Sequence, residues 1–310
     1  HRARRGDAEL DSPPSASRTD PVSPSRSKND SQGGGAGGAG RSLSQFVQMG
    51  LNGAVLKLSS QRLSASDLSS LPSLLASNQT LTTVDLTDSG VGDEGAVLVS
   101  AACAASANVT ALGLSGNRLG DSGVRALAST LSKNKSLKSL FLRNNTIGPE
   151  GARHLSNALS NNVSLTKLNL KNNKLGAEGA TELAPLIATN RVLLEMNIWN
   201  NSVGASGATA VAEALGREGA ALEELDMGCN AIGCAGMAAL AKALRSNRRL
   251  ERLNLRWNEI EDEGGNALVE AVKENHTMKE IQMFGNKLSD EVSAALEAAC
   301  AASSGLKVLQ

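Results

Sequence analysis

Histidine, cysteine and clustered carboxylates are the side chains best suited to acid–base, nucleophilic or metal chemistry. In this chain of 310 residues none of them is spaced for it. The histidines are His1, His154 and His276, and none has an Asp and a Ser or Cys at a spacing that suggests a triad. Cys229 and Cys234 stand five apart, without the nearby His or Cys pair that zinc requires. Cys103 and Cys300 fall on apolar helical stripes and read as small core residues. The run Glu259, Glu261, Asp262 and Glu263 lacks calcium-loop spacing and reads as a charged helix start. The glycine-rich run 33–40 lacks the Lys-Ser/Thr ending of a phosphate loop and reads as a flexible linker. No catalytic residue, metal or cofactor is expected.

Recognition chemistry is better represented. The chain has two Trp, three Phe and no Tyr, so a hydrophobic content of 41% must build an aliphatic core. Four of the five rings, Phe141, Trp199, Trp257 and Phe284, fall close to Arg143, Lys171 and Arg256 in repeated positions described below. Trp, Phe and Arg are the residue types of interface hot spots. The charge balance is even, 31 basic against 31 acidic residues, which argues against a dedicated nucleic-acid binder. No apolar run reaches the roughly 18 residues of a membrane span.

The elements that must position these residues are repeats. Leu81, Val109, Leu137, Leu165, Leu193, Leu222, Leu250 and Met278 recur every 28 residues, with one unit of 29. A degenerate unit begins at Gly53, which makes nine, and Leu306 starts a tenth. Each reads L-x-x-L-x-L-x-x-N-x-L-G, as in Leu137-Lys138-Ser139-Leu140-Phe141-Leu142-Arg143-Asn144-Asn145-Thr146-Ile147-Gly148. The alternation of Leu140 with Leu142, and of Leu168 with Leu170, marks a short strand with one buried face. Val124, Leu127 and Leu131, then Ala152, Leu155 and Leu159, switch to helical spacing. Asp121, Pro149 and Asp290 suit the N-cap or first turn. Glycines at 95, 123, 151, 179, 207, 236 and 264 sit where a Cβ is expected to crowd the neighbouring unit. Asn134, Asn162, Asn190, Asn247 and Asn275 close the helices, where Asn tolerates the left-handed conformation. Asn117, Asn145, Asn173, Asn201, Asn230, Asn258 and Asn286 follow the strands, where an amide both donates to and accepts from leftover backbone groups. Gln61 and Ser89 replace that Asn in the first two units, the end expected to be less regular.

One unit cannot bury its leucines alone, so units must stack. Strands stack about 4.8 Å apart and helices about 10 Å apart, so the stack must curve with its strands inside. The expected fold is α/β: a leucine-rich-repeat solenoid, or horseshoe, with a parallel sheet on the concave face and helices on the convex face. Residues 1–42 are too poor in apolar side chains to order and read as a disordered Ser/Pro/Gly-rich tail. Residues 43–310 form the repeat domain, with Phe46 in an N-terminal cap.

The 28-residue unit with a full helix, and phrases such as Asn145-Thr146-Ile147-Gly148-Pro149-Glu150-Gly151-Ala152, resemble the ribonuclease-inhibitor class of leucine-rich repeats. That class includes ribonuclease inhibitor, Ran GTPase-activating protein and the sensor regions of NOD-like receptors, and the quoted phrase looks most like the receptor branch. The resemblance covers residues 53–309 and implies fold strongly but function only loosely. It implies a protein-binding scaffold, with GTPase activation of a small Ran-like GTPase as the alternative. Arg118 and Arg143 are the exposed arginines available for that alternative.

Two slots per strand face the concavity. The second holds Arg143, Lys171, Trp199, Arg256 and Phe284; the first holds Phe141; Trp257 lies one residue further on. These seven are the expected partner-binding residues, with every ring of the strip exposed. The competing reading has the rings cover neighbouring leucines and stiffen the sheet by stacking. Nucleic acid is disfavoured because Asp85, Asp88, Glu195, Glu224, Asp226, Glu259 and Glu280 share the face or its edges. The expectation is therefore a non-enzymatic module for a protein partner, with no nucleic acid and no membrane. Unpaired cysteines favour a cytoplasmic location, and sequons such as Asn144 and Asn162 are read as by-products of the repeat.

Overall fold

The structure is a computed structural model that describes residues 51–310 apart from Ser304. The tail, its glycine-rich linker and Phe46 lie outside the described residues. A two-residue strand β1 (Leu51–Asn52) turns back through Gly53, at φ 61°, and pairs antiparallel with β2 (Val55–Lys57). Parallel strands then follow one per unit: β3 (Thr83–Asp85), β4 (Ala111–Gly113), β5 (Ser139–Phe141), β6 (Lys167–Asn169) and β7 (Glu195–Asn197). The series continues with β8 (Glu224–Asp226), β9 (Arg252–Asn254), β10 (Glu280–Gln282) and β11 (Lys307–Leu309). All form one sheet in chain order. Leu140 pairs with Leu112 on one side and Leu168 on the other, so the sequence repeat is also the strand register.

Between the strands run helices. The first unit breaks its helix into α1 (Ala65–Leu68) and α2 (Leu71–Ser77), as expected of that end, whereas the second unit, which has Ser89 in place of the asparagine, keeps a regular helix. Full helices follow: α3 (Gly92–Ala105), α4 (Asp121–Leu131), α5 (Pro149–Leu159) and α6 (Gly176–Thr189). Then come α7 (Gly204–Leu215), α8 (Gly233–Ser246), α9 (Asp262–Glu274) and α10 (Asp290–Ala302). Strands β3 to β10 each bury the middle residue and turn the outer two to the open face. The core between sheet and helices is one continuous aliphatic cluster with no aromatic ring among the described residues.

The helix-borne glycines have the close neighbours the repeat implies. A Cβ on Gly207 would stand 3.0 Å from both Ala177 Cα and Ala180 Cβ of the preceding helix. Asp121 and Asp290 occupy the first turn of their helices. Asp121 also reaches across units, where its Oδ1 accepts the Gly148 N–H at 2.6 Å.

Two asparagine columns lock the units together. Asn145 donates from Nδ2 to the carbonyls of Leu114 (3.0 Å) and Leu142 (2.9 Å), and its Oδ1 accepts from the N–H groups of Asn117 (3.0 Å) and Leu119 (2.9 Å). The helix-closing asparagines work differently from the expectation. Asn190, Asn247 and Asn275 have φ of −71°, −67° and −93°, extended rather than left-handed. In the same column, Asn162 Oδ1 caps the next turn by accepting from Ser164 (2.9 Å) and Leu165 (2.7 Å), while Nδ2 donates to Leu131 O of the previous unit at 2.8 Å. Extended backbone aims the amide at both targets, which a left-handed residue would not. Apart from Gly219 and Gly305, the left-handed positions lie elsewhere, between a strand and the start of the element that follows it.

Candidate functional site

Part of the concave face is built by tethers within a strand's own unit. Asn169, Asn197, Asp226 and Asn254 end their strands, and each side-chain Oδ1 accepts the N–H two residues on. Those second residues are Lys171, Trp199, Gly228 and Arg256. The polar slot therefore holds backbone for the recognition slot beside it, a role the spacing alone did not reveal.

The next position turns the chain out of the strand with positive φ in every unit. Ser60, Asp88, Gly116, Asn144, Asn172, Asn200, Cys229, Trp257 and Gly285 all lie between 51° and 78°. Gly, Asn and Asp tolerate this conformation, whereas a bulky side chain there is an outlier. Asn144, Asn172 and Asn200 use it to form an amide ladder, with Nδ2 to Oδ1 distances of 2.7 and 2.9 Å. Trp257 is the bulky exception, at φ 58°. Its ring lies across Gly285 of the next unit, where an added Cβ would come within 2.5 Å of it. Phe284 meets the same ring edge-on, with centroids 5.3 Å apart and planes at 88°. Phe284 is 53% exposed, while Trp257 is half-buried. Trp257 Nε1 is covered and has no hydrogen-bond partner.

Trp199 departs from the expectation that every ring in the strip is exposed. It is 3% exposed. It does not join the leucine layer, but lies on the concave side of the sheet, over Gly228, whose missing side chain leaves room for the ring. Lys171 Nζ stands 5.0 Å and the Arg256 guanidinium 5.1 Å from the ring centroid, at cation–π distance. Here the stacking reading describes the geometry: the ring fills the concave surface and carries two cations. Phe141 is half-buried with Lys167 Nζ 6.0 Å from its centroid, and Arg143 is exposed. The seven residues thus fall into an exposed arginine beside Phe141, a covered Trp199 between two cations, and an aromatic pair at Trp257 and Phe284.

The rest of the face is laced by partly exposed ion pairs between adjacent strands, Lys167 with Glu195 at 3.0 Å and Arg252 with Glu224 at 2.7 Å. The Glu224 contact raises the Arg252 guanidinium above its ordinary value, against partial burial. Burial pushes the Cys103 thiol up to about 12 and raises that of Cys229, where Lys171 opposes the shift. Neither is a thiolate nucleophile near neutral pH. Among the described residues no group of three or more His, Cys, Asp or Glu converges on a metal-sized point. No described helix is long and apolar enough to cross a membrane. Asn162 and Asn275, both sequon residues, are buried with their amides committed to backbone.

Tandem units of strand, asparagine turn and helix, sharing one aliphatic layer, make a leucine-rich-repeat solenoid fold. Six stretches, 77–100, 105–128, 133–156, 161–184, 221–241 and 246–269, match the leucine-rich repeat model. Among solved structures the chain is similar to the leucine-rich repeat-containing protein LegL7 from Legionella pneumophila, at 21% identity and a TM-score of 0.53, with 87% of each chain covered. That likeness is one of fold. It is also similar to a structure titled leiomodin-1 actin-binding site 2, at 26% identity and a TM-score of 0.43, covering 50% of this chain and 90% of that one. No curated protein matches the chain.

Proposed function

We propose that this protein is a non-catalytic docking platform of the ribonuclease-inhibitor type, which takes a protein partner on its concave face. The class assignment is supported by the 28-residue register and the full helices α3 to α10. The docking reading rests on one observation above all. Among the described residues the core contains no ring, yet Trp257 is held at φ 58° with Phe284 exposed against it. Backbone strain of that kind costs about 1–3 kcal/mol and clusters at functional sites. Phe284 and Trp257 are the proposed apolar anchor, and Arg143, Lys171, Arg256 and Phe141 extend the contact along the sheet. Trp199 serves from beneath by holding Lys171 and Arg256 in place. The GTPase-activating alternative has no observation of its own in the site.

The test compares substitutions on opposite faces. Phe284→Asp changes the concave face, and Val97→Asp changes a helix residue 56% exposed on the convex side. Affinity capture with each variant, both checked for unchanged thermal unfolding, should lose the partner with F284D and keep it with V97D. Capture indifferent to F284D contradicts the reading.

A further inference from the structure

The charge along the concave face is segmented, and the segments specify a partner chemistry. Three consecutive strand-and-turn stretches, 111–119, 139–147 and 167–175, contain Arg118, Arg143, Lys167, Lys171 and Lys174 and no Asp or Glu. They correspond to β4, β5 and β6 with the turns that follow. The stretch before them carries Asp85 and Asp88, and the two after them carry Glu195, Glu224 and Asp226. Lys167 is neutralised by Glu195 at 3.0 Å, and Lys171 is held over the Trp199 ring. Arg118, Arg143 and Lys174 are exposed, with no carboxylate within ion-pair distance among the described residues. Self-repulsion among three such cations is relieved by an anionic partner.

The extent of the patch limits what that partner is. Three adjacent strands span about 10 Å, and an extended chain advances about 3.3 Å per residue. Three or four residues therefore cross the patch, whose β4 edge is met by the Asp85 and Asp88 carboxylates lying over Gly113 and Gly116 and whose β6 edge is met by Glu195 on Lys167. A nucleic-acid backbone, with one negative charge per about 1.7 Å of duplex, would overrun those carboxylates and be repelled. Phe141, half-buried in the middle strand, adds an apolar contact that a simple phosphate would not use.

We infer that the β4–β6 stretch receives a short acidic segment of the partner protein, three to four residues of Asp or Glu flanked by neutral or basic ones. This rests on the concave-face docking reading and adds the chemistry of what docks. Arg143 is the central contact, because its guanidinium is exposed and suits a carboxylate bidentately. Arg118 and Lys174 flank it on the turns.

The experiment uses fluorescence anisotropy of labelled peptides with the full chain at low ionic strength. The first peptide carries four Glu between Gly-Ser flanks, the second carries four Gln in their place, and the third probe is a single-stranded oligothymidylate. The Glu peptide should bind in preference to the other two, and its binding should weaken as salt is raised. The double variant R143E/K174E, altered only at exposed positions, should weaken it by about tenfold or more. Equal binding of Glu and Gln peptides, insensitivity to R143E/K174E, or tighter binding of the oligothymidylate would overturn the inference. If the Glu peptide fails while capture remains dependent on Phe284, the acidic-segment inference falls and the docking reading stands. If capture is also indifferent to F284D, both fall.

Discussion

The two tryptophans, similar by composition, have opposite structural standing. Trp199 is covered, sits over Gly228 and supports two cations, so removing it empties a filled site. Truncation of a buried Trp costs about 3–5 kcal/mol. Trp257 occupies a position that Asn holds in three other units, at a conformation that strains a bulky residue. Trp257→Asn loses ring contact with Phe284 and Gly285 but relieves strain of about 1–3 kcal/mol. The two terms oppose each other at similar size. We expect the urea midpoint of W199A to fall clearly and that of W257N to stay near wild type, while W257N loses partner capture. A W257N midpoint as low as that of W199A would show that Trp257 is needed for the fold instead. The burial of Trp199 is not legible from its own slot, because it depends on what stands one unit on. The available signal is Gly228 in the same slot, with Gly285 playing that part for Trp257.

At the scale of the element, each helix is pressed against the one before it, and the glycine one turn in marks the contact. Helix propensity alone favours Gly→Ala by about 1 kcal/mol. In α7 the methyl added by Gly207→Ala would meet Val203 Cγ1 at 2.7 Å and, more stubbornly, the Ala177 backbone at 3.0 Å. Backbone in a packed neighbour does not yield easily, and overpacking costs about 1–3 kcal/mol. Packing therefore wins, and G207A should lower the thermal midpoint in spite of its better propensity. A midpoint above wild type would mean that α6 and α7 separate more freely than their contact indicates. These glycines are legible because their spacing matches the leucine register. The helix-closing asparagines are legible as to type but not conformation: a sequence shows that an amide is wanted there, not whether φ or the side chain satisfies the helix end. The tethering by Asn169, Asn197 and Asn254 is hidden for a related reason, since a polar residue facing a cavity looks the same whether it bonds a ligand or its own backbone.

Across the whole molecule, the leucine period dictates strand order, register and the position of the core, because every unit must bury the same face against its neighbours. Burial, by contrast, depends on neighbours in space, so the strip of candidate residues divides into exposed, half-buried and covered members only in the folded chain. The resulting platform has an aromatic anchor at β9–β10 and a cationic stretch at β4–β6 in which Arg118, Arg143 and Lys174 are exposed. The central claim is that a protein partner docks on this inner face. Its most direct measurement is site-specific photocrosslinking, with benzoylphenylalanine placed at Phe284 or at Val97 in otherwise unchanged protein. The account predicts a crosslinked protein adduct from position 284 and none from position 97; an adduct from 97 with none from 284 would contradict it.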